Sequence, residues 1–213
     1  ISLTDYVDAM KEGQDTIYYI SGDNIDTLKK SPQLEGFDAK GVEVLLMADP
    51  VDEFWLPMIG EFDGKPFKSV TRGGADLSKI KKDAAKDEDD KTDDEAESVV
   101  DGLVIALKLA LGEQVKDVRA SDRLTSSAVC LVADDNAMDM HLERLLKQHN
   151  RLEASSPRIL EINPKHALIE ALNAKAGPDG KGDLGAAPTL LLDQARIMEG
   201  ETLPDPADFA RKM

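Results

Sequence analysis

Thr16-Ile17-Tyr18-Tyr19-Ile20 and, further on, Val42-Glu43-Val44-Leu45-Leu46-Met47 are the two runs on which the fold turns. Both are rich in β-branched and aromatic residues, and each is bounded by polar or glycine-containing segments, so both read as strands. A Ser2-capped amphipathic segment to Met10 precedes the first, and a polar helical stretch, Asn24 to Lys30, lies between them. Asp52 to Phe62 reads as a further helix. Parallel strands joined by helices are the economical solution, so residues 1–75 are expected to form a small α/β unit of the three-layer type.

The chain outgrows that unit. Its 213 residues suit two domains, each burying its own core. Between Asp76 and Glu97 the sequence is almost wholly Asp, Glu, Lys and Ala, too poor in large apolar residues to offset the entropy of packing. Residues 76–98 are therefore read as an acidic connector with the composition of a solvated helix, and residues 99–213 as a second domain. That domain opens with the helix Val99 to Leu111 and continues with strands at Val115 to Val118 and Ala128 to Val132. A helix at Asn136 to Gln148 follows, then a strand over Arg158 to Ile162 that stops at Asn163-Pro164. Helices at His166 to Ala176, Pro188 to Met198 and Pro206 to the end complete it. The fold class is α+β with a helical tail.

Charge and composition exclude several functions. With 42 acidic against 26 basic residues the net charge is -16, which opposes a phosphate backbone, so nucleic acid is not an expected partner. The longest apolar run, Leu103 to Leu111, is broken by Lys108 and too short to cross a bilayer, so no membrane is expected either. A lone Cys130, no Asn-x-Ser/Thr acceptor and no leader at Ile1 point to a reducing cytoplasm and to a piece cut from a longer chain.

No motif for catalysis survives inspection. Gly177-Pro178-Asp179-Gly180-Lys181-Gly182 lacks the Gly-Lys-Ser/Thr of a phosphate loop and reads as a flexible surface loop. Asp87-Glu88-Asp89-Asp90-Lys91 opens like a calcium loop but has Lys91 at a ligand position and no glycine. Cys130 with His141 as base would make a stand-alone α/β enzyme, yet Cys130 sits in an apolar strand where a buried structural thiol is the ordinary outcome. Asp135, Asp139 and His141 read as the polar face of a helix rather than a metal site. The expected catalytic and metal residues are none.

Three apolar sets stand out instead. Met138, Leu142, Leu145 and Leu146 form one stripe on an otherwise charged helix, which must be covered or must bind. Phe54-Trp55-Leu56-Pro57-Met58-Ile59 is so dense in bulky residues that one helix face can hardly hide them all, leaving an exposed patch or a kink near Pro57. Leu191, Ala195 and Met198, with Leu192 beside them, form a face on the penultimate helix, and Phe209 and Met213 repeat the spacing on the last. Two copies of that helix pair would make an intermolecular four-helix bundle. A passive oligomerisation module would share this feature.

Residue order along the chain resembles the ninety-kilodalton heat-shock chaperones, most closely their bacterial form. Tyr6-Val7-Asp8, Met10-Lys11-Glu12-Gly13-Gln14, Ile17-Tyr18-Tyr19-Ile20, Ser31-Pro32, Gly41-Val42-Glu43-Val44-Leu45 and Glu61-Phe62-Asp63-Gly64-Lys65 look like the last subdomain of the family's middle domain. Ser121-Asp122-Arg123-Leu124, Cys130-Leu131-Val132, Met138, Glu161-Ile162-Asn163-Pro164, His166, Leu203, Asp205-Pro206 and Phe209 look like its C-terminal dimerisation domain. The acidic stretch falls where the family joins the two.

The resemblance implies the C-terminal part of an ATP-dependent chaperone that holds a homodimer together and contacts unfolded or partly folded clients. It assigns client contact to the helix bearing Met138, Leu142, Leu145 and Leu146 and to the region of Phe54, Trp55 and Met58. Dimerisation falls to the region of Leu191, Leu192, Ala195, Met198, Phe209 and Met213. ATP and magnesium are implied for the full-length protein at a site before Ile1, with no cofactor in this part. The seventy-kilodalton heat-shock chaperone system is the implied helper, and the bacterial cytoplasm the implied location.

Overall fold

The computed structural model describes residues 2–73, 77, 80, 100–152 and 156–213. These group into two compact units, residues 1–87 with 133–156 and residues 88–132 with 157–213. The expected acidic connector lies, apart from Leu77 and Ile80, outside the described residues.

The first unit is built on strand β1. Helix α1 (Leu3–Asp8) starts at Ser2, whose hydroxyl accepts the Asp5 N–H while the Asp5 carboxylate takes the Ser2 N–H, a reciprocal cap. Next come β1 (Ile17–Ser21), α2 (Ile25–Leu28), a 3₁₀ turn at Pro32–Leu34, α3 (Glu35–Ala39), β2 (Leu45–Met47), α4 (Asp52–Ile59), β3 (Glu61–Phe62) and β4 (Lys65–Ser69). The sheet order is β2-β1-β4-β3, with β1 parallel to both β2 and β4 and β3 antiparallel to β4.

Alternation along β1 creates the three layers, because successive side chains leave opposite faces of the sheet. Tyr18 and Ile20 meet Leu28, Leu34 and Phe37 from α2 to α3, with the Tyr18 and Phe37 rings edge-on at 4.8 Å. Ile17 and Tyr19 meet Tyr6 of α1 and Leu56 of α4 on the other face. All four strand residues are buried, as a central strand covered on both sides requires.

The helix expected over Asp52 to Phe62 ends sooner. Gly60, at φ 72°, stops α4, and Phe62 pairs with Lys65 across a two-residue loop in which Asp63 and Gly64 both have positive φ. Asp-Gly is the favoured sequence for such a loop, because its two central residues must be left-handed to match strand twist.

The second unit contains α5 (Asp101–Leu111), β5 (Asp117–Ala120) and β6 (Val129–Val132). The chain then visits the first unit through α6 (Met140–Gln148) and returns with β7 (Ile159–Ile162), α7 (Ala167–Ala176), α8 (Ala187–Met198) and α9 (Pro206–Lys212). Residues 133–156 thus depart from the single block expected over 99–213. The sheet order is β5-β7-β6, with β7 parallel to β5 and antiparallel to β6. Helix α5 packs on β5, α7 and α8, and α8 covers β6.

Gly177 to Gly182, expected as a flexible surface loop, exposes Pro178, Asp179 and Lys181 while its glycines pack closely on the neighbouring helices. A Cβ on Gly102 would lie 2.1 Å from the Gly177 carbonyl, and one on Gly182 would lie 1.8 Å from the Lys175 carbonyl. Only hydrogen fits at these positions, so the loop seals α7 against α5.

Candidate functional site

The α6 segment is assembled by polar anchors. Asp139 Oδ1 accepts the His141 N–H at 2.9 Å and caps the helix. The expected start at Asn136 is corrected, because Asp134 takes the Asn136 N–H in a turn of its own and Asp139 is the better placed cap. Met138 therefore precedes the helix. At the other end Asn150, at φ 53°, closes α6 in the left-handed conformation.

The burial of α6 runs against its amphipathic pattern. Met140, His141 and Glu143 are buried, with the Glu143 carboxylate accepting the Ser156 N–H at 2.9 Å. Leu142, Leu145 and Leu146 are only half-buried, and Met138 is exposed. Burial and the nearby Arg144 cation hold the His141 imidazole below its ordinary pKa, so near neutral pH it is uncharged. The face of α6 turned into the unit is thus substantially polar, while its leucines are only partly covered.

In α4 the two aromatic residues separate. The Trp55 indole N–H donates to Asp52 Oδ1 at 2.7 Å, and its ring packs edge-on against Phe67 at 6.1 Å. It lines a groove of about 900 Å³ with Leu3, Tyr6 and Met47. Phe54 and Met58, one helical turn apart, point outward at 58% and 85% exposure, flanked by Val51 and Ile59. Of the alternatives posed by the sequence, the structure shows the exposed patch: α4 runs through Pro57 to Ile59.

The tail is arranged otherwise than expected. Leu191, Leu192 and Ala195 are at most 3% exposed within a single chain. Their assignment to an intermolecular face is corrected, because the sheet needs a cover and the apolar stripe of α8 supplies it against β6 and α5. Ile197, Met198 and Met213 remain exposed, with Phe209 half-buried on α9. Ile197 was missed, since it lies off the i, i+4, i+7 row used to select the face.

Cys130 is fully buried, and burial, together with the adjacent Glu161 charge, pushes its thiol well above the ordinary range. A nucleophilic role loses its geometry, and His141 belongs to the other unit. Its neighbour Glu161 organises the second sheet. Glu161 accepts from Arg119 Nη2 at 2.6 Å, Arg123 Nε at 3.0 Å and Ser121 Oγ at 3.0 Å. The Ser121, Arg123, Cys130 and Glu161 motif residues are therefore brought together as a buried structural node, which sequence reading had left as separate signatures.

Among the described residues no group of three or more His, Cys, Asp and Glu could hold a metal ion, and no helix is long and apolar enough to cross a membrane.

Comparison with known proteins completes the picture. The family model described as Hsp90 protein matches residues 1–213. Chaperone protein HtpG of Paramagnetospirillum magneticum is 58% identical over 214 residues, covering 100% of this chain and 34% of the relative. HtpG of Roseobacter denitrificans is 52% identical over 223 residues, covering 100% and 34%, and that of Rhizobium meliloti 49% over 212 residues, covering 100% and 33%. The chain spans about a third of the length of the curated relatives it matches. With a family model matched along its whole length and relatives about half identical to it throughout, the chain belongs to the Hsp90 family.

Proposed function

We propose that this chain is the client-contacting and dimer-forming part of an ATP-dependent chaperone. The observation that carries the reading is the inverted burial of α6: Glu143 and His141 are buried while Leu142, Leu145 and Leu146 keep open surface. With Met138, Phe54 and Met58 they supply apolar surface, on which the unbranched methionines can adapt to many sequences. The net charge of -16 favours basic, partly unfolded segments. Trp55, held by Asp52 and Phe67, serves as a fixed wall rather than a mobile contact.

Dimerisation belongs in this reading to the exposed end of α8 and to α9, through Ile197, Met198, Phe209 and Met213. Pairing two α8–α9 hairpins gives the four-helix arrangement, with Leu191, Leu192 and Ala195 holding each hairpin to its own sheet. Tethering two chains there makes closure of their ATP-binding parts intramolecular, at an effective concentration on the order of millimolar. ATP and magnesium belong to the part of the longer protein that precedes Ile1. Cooperation with the seventy-kilodalton chaperone system and a bacterial cytoplasmic setting are part of the same proposal.

Replacing Leu142 and Leu146 by Asn tests client contact. Affinity for a fluorescently labelled, partly folded client should fall at least about tenfold, as two apolar contacts of this size imply, while mass in solution is unchanged. Unchanged affinity would leave a passive oligomerisation module as the better description.

A further inference from the structure

Between the sheet of the first unit and α6 lies a closed polar cluster. Asp139 is 2% exposed, Ser69 1% and Thr71 4%. Asp139 Oδ2 accepts from Ser69 Oγ at 2.5 Å and from Thr71 Oγ1 at 3.0 Å, and the two hydroxyls lie 2.9 Å apart. The remaining carboxylate oxygen caps α6 through His141 N–H. A carboxylate with no solvent access is stable only when its lone pairs are taken by donors, and here each donor comes from an identifiable place. Two lie at the end of β4 and one at the start of α6.

The same junction is tied by the main chain. The Ala133 N–H donates to the Thr71 carbonyl at 2.8 Å, and the Gly73 N–H to the Ala133 carbonyl at 2.9 Å. Farther along, Arg144 Nη2 reaches Asp23 Oδ2 at 3.1 Å, an exposed pair of small weight. Entry, cap and middle of α6 are therefore fixed to the first unit, and the strongest of these attachments is the buried carboxylate.

We infer that Asp139, Ser69 and Thr71 form a latch that fastens α6 to the end of β4 and so sets which face of the helix is offered to a client. Asp139 is a positioning residue: it contacts no client, and it acts through the direction and the start of α6. This rests on the reading of α6 as a client-contact helix only for its functional consequence. The latch itself is a statement about how α6 is held.

The test is hydrogen exchange by mass spectrometry on the full 213-residue chain, with Ser69→Ala/Thr71→Val, Asp139→Ala and the combined variant. The hydroxyl variant leaves the Asp139 cap in place, so a purely local capping role would not respond to it. Exchange of α6 amides should rise about tenfold or more in the hydroxyl variant, with β1 and β7 amides unchanged. The combined variant should be no worse than Asp139→Ala alone, since one network is being removed. Unchanged α6 exchange in the hydroxyl variant, or additive effects in the combination, would overturn the latch. If the double replacement lowers protection in β1 as well, the single Ser69→Ala and Thr71→Val variants supply the same comparison. Client affinity measured on the same variants separates the two ideas: faster α6 exchange with unaltered affinity supports the latch and removes the client role from α6.

Discussion

Arg123 Nε and Glu161 Oε2 face each other at 3.0 Å, each side chain only 3% exposed, in the middle of the second unit. Burial alone would raise the Glu161 pKa, but Arg123, and then Arg119, outweigh it and hold the carboxyl below its ordinary range. Glu161→Gln removes the carboxylate that the buried Arg123 Nε contacts directly. A destabilisation of about 3–5 kcal/mol is expected, as for other broken buried pairs. Urea unfolding followed by far-UV circular dichroism measures it, and a loss under about 1 kcal/mol would contradict the node.

The same carboxylate predicts a pH dependence. Because its folded pKa is depressed, its stabilisation is complete above the unfolded value of roughly 4.3 and is lost as pH falls through the folded pKa. The parent chain should therefore lose denaturant resistance in acid below about pH 4.5, and Glu161→Gln should show a shallower decline over that window. Parallel acid profiles for the two proteins would assign the acid sensitivity to other carboxylates.

Gly102→Ala sets two effects against each other. In an unobstructed helix interior the change would add about 1 kcal/mol of stability. Here the new methyl would lie 2.1 Å from the Gly177 carbonyl, which is backbone and cannot rotate away. Overpacking of this kind costs about 1–3 kcal/mol or more, so a net loss in thermal midpoint is expected. A raised midpoint would show that the turn at Gly177 yields.

Tyr6→Phe probes how α1 is held to the first sheet. The phenol oxygen donates to the Glu43 carbonyl at 2.6 Å and accepts from the Tyr18 N–H and from Gln14, both at 3.1 Å. Burial raises the phenol pKa, so it remains protonated and able to donate. Removing the hydroxyl takes one hydrogen bond each from the Glu43 carbonyl, the Tyr18 N–H and Gln14, at a cost of about 1–3 kcal/mol. Chemical denaturation reads this directly, and a neutral result would mean that water replaces the hydroxyl.

Strands β1, β2 and β6 were legible because their residues are largely apolar on both faces, and β7 because an apolar run, interrupted only by Glu161, stops at Asn163-Pro164. The β3–β4 hairpin was hidden by the apolar run through Ile59, although Asp63-Gly64 carried the signal for it. The placement of α6 was not legible at all. It depends on Ser69 and Thr71 meeting Asp139 across about seventy positions of sequence, and no local pattern encodes such a meeting. The tail shows the opposite difficulty. Periodicity marked Leu191 and Ala195 as apolar correctly, but it cannot distinguish a stripe that covers its own sheet from one that meets a second copy.

That distinction decides how dimerisation should be tested. Glu at Leu191 would place a charge in the interior of the second unit and unfold it, so a monomer obtained that way would say nothing about an interface. Ile197 and Met198 are 46% and 42% exposed, and Glu at both leaves the core intact. Sedimentation equilibrium of the parent chain should show a dimer persisting to micromolar dilution, and Ile197→Glu/Met198→Glu should raise the dissociation constant at least about a hundredfold, with unchanged circular dichroism. A dimer indifferent to both substitutions would move the interface away from the end of α8. A parent chain that is monomeric throughout would remove dimerisation from this part of the protein.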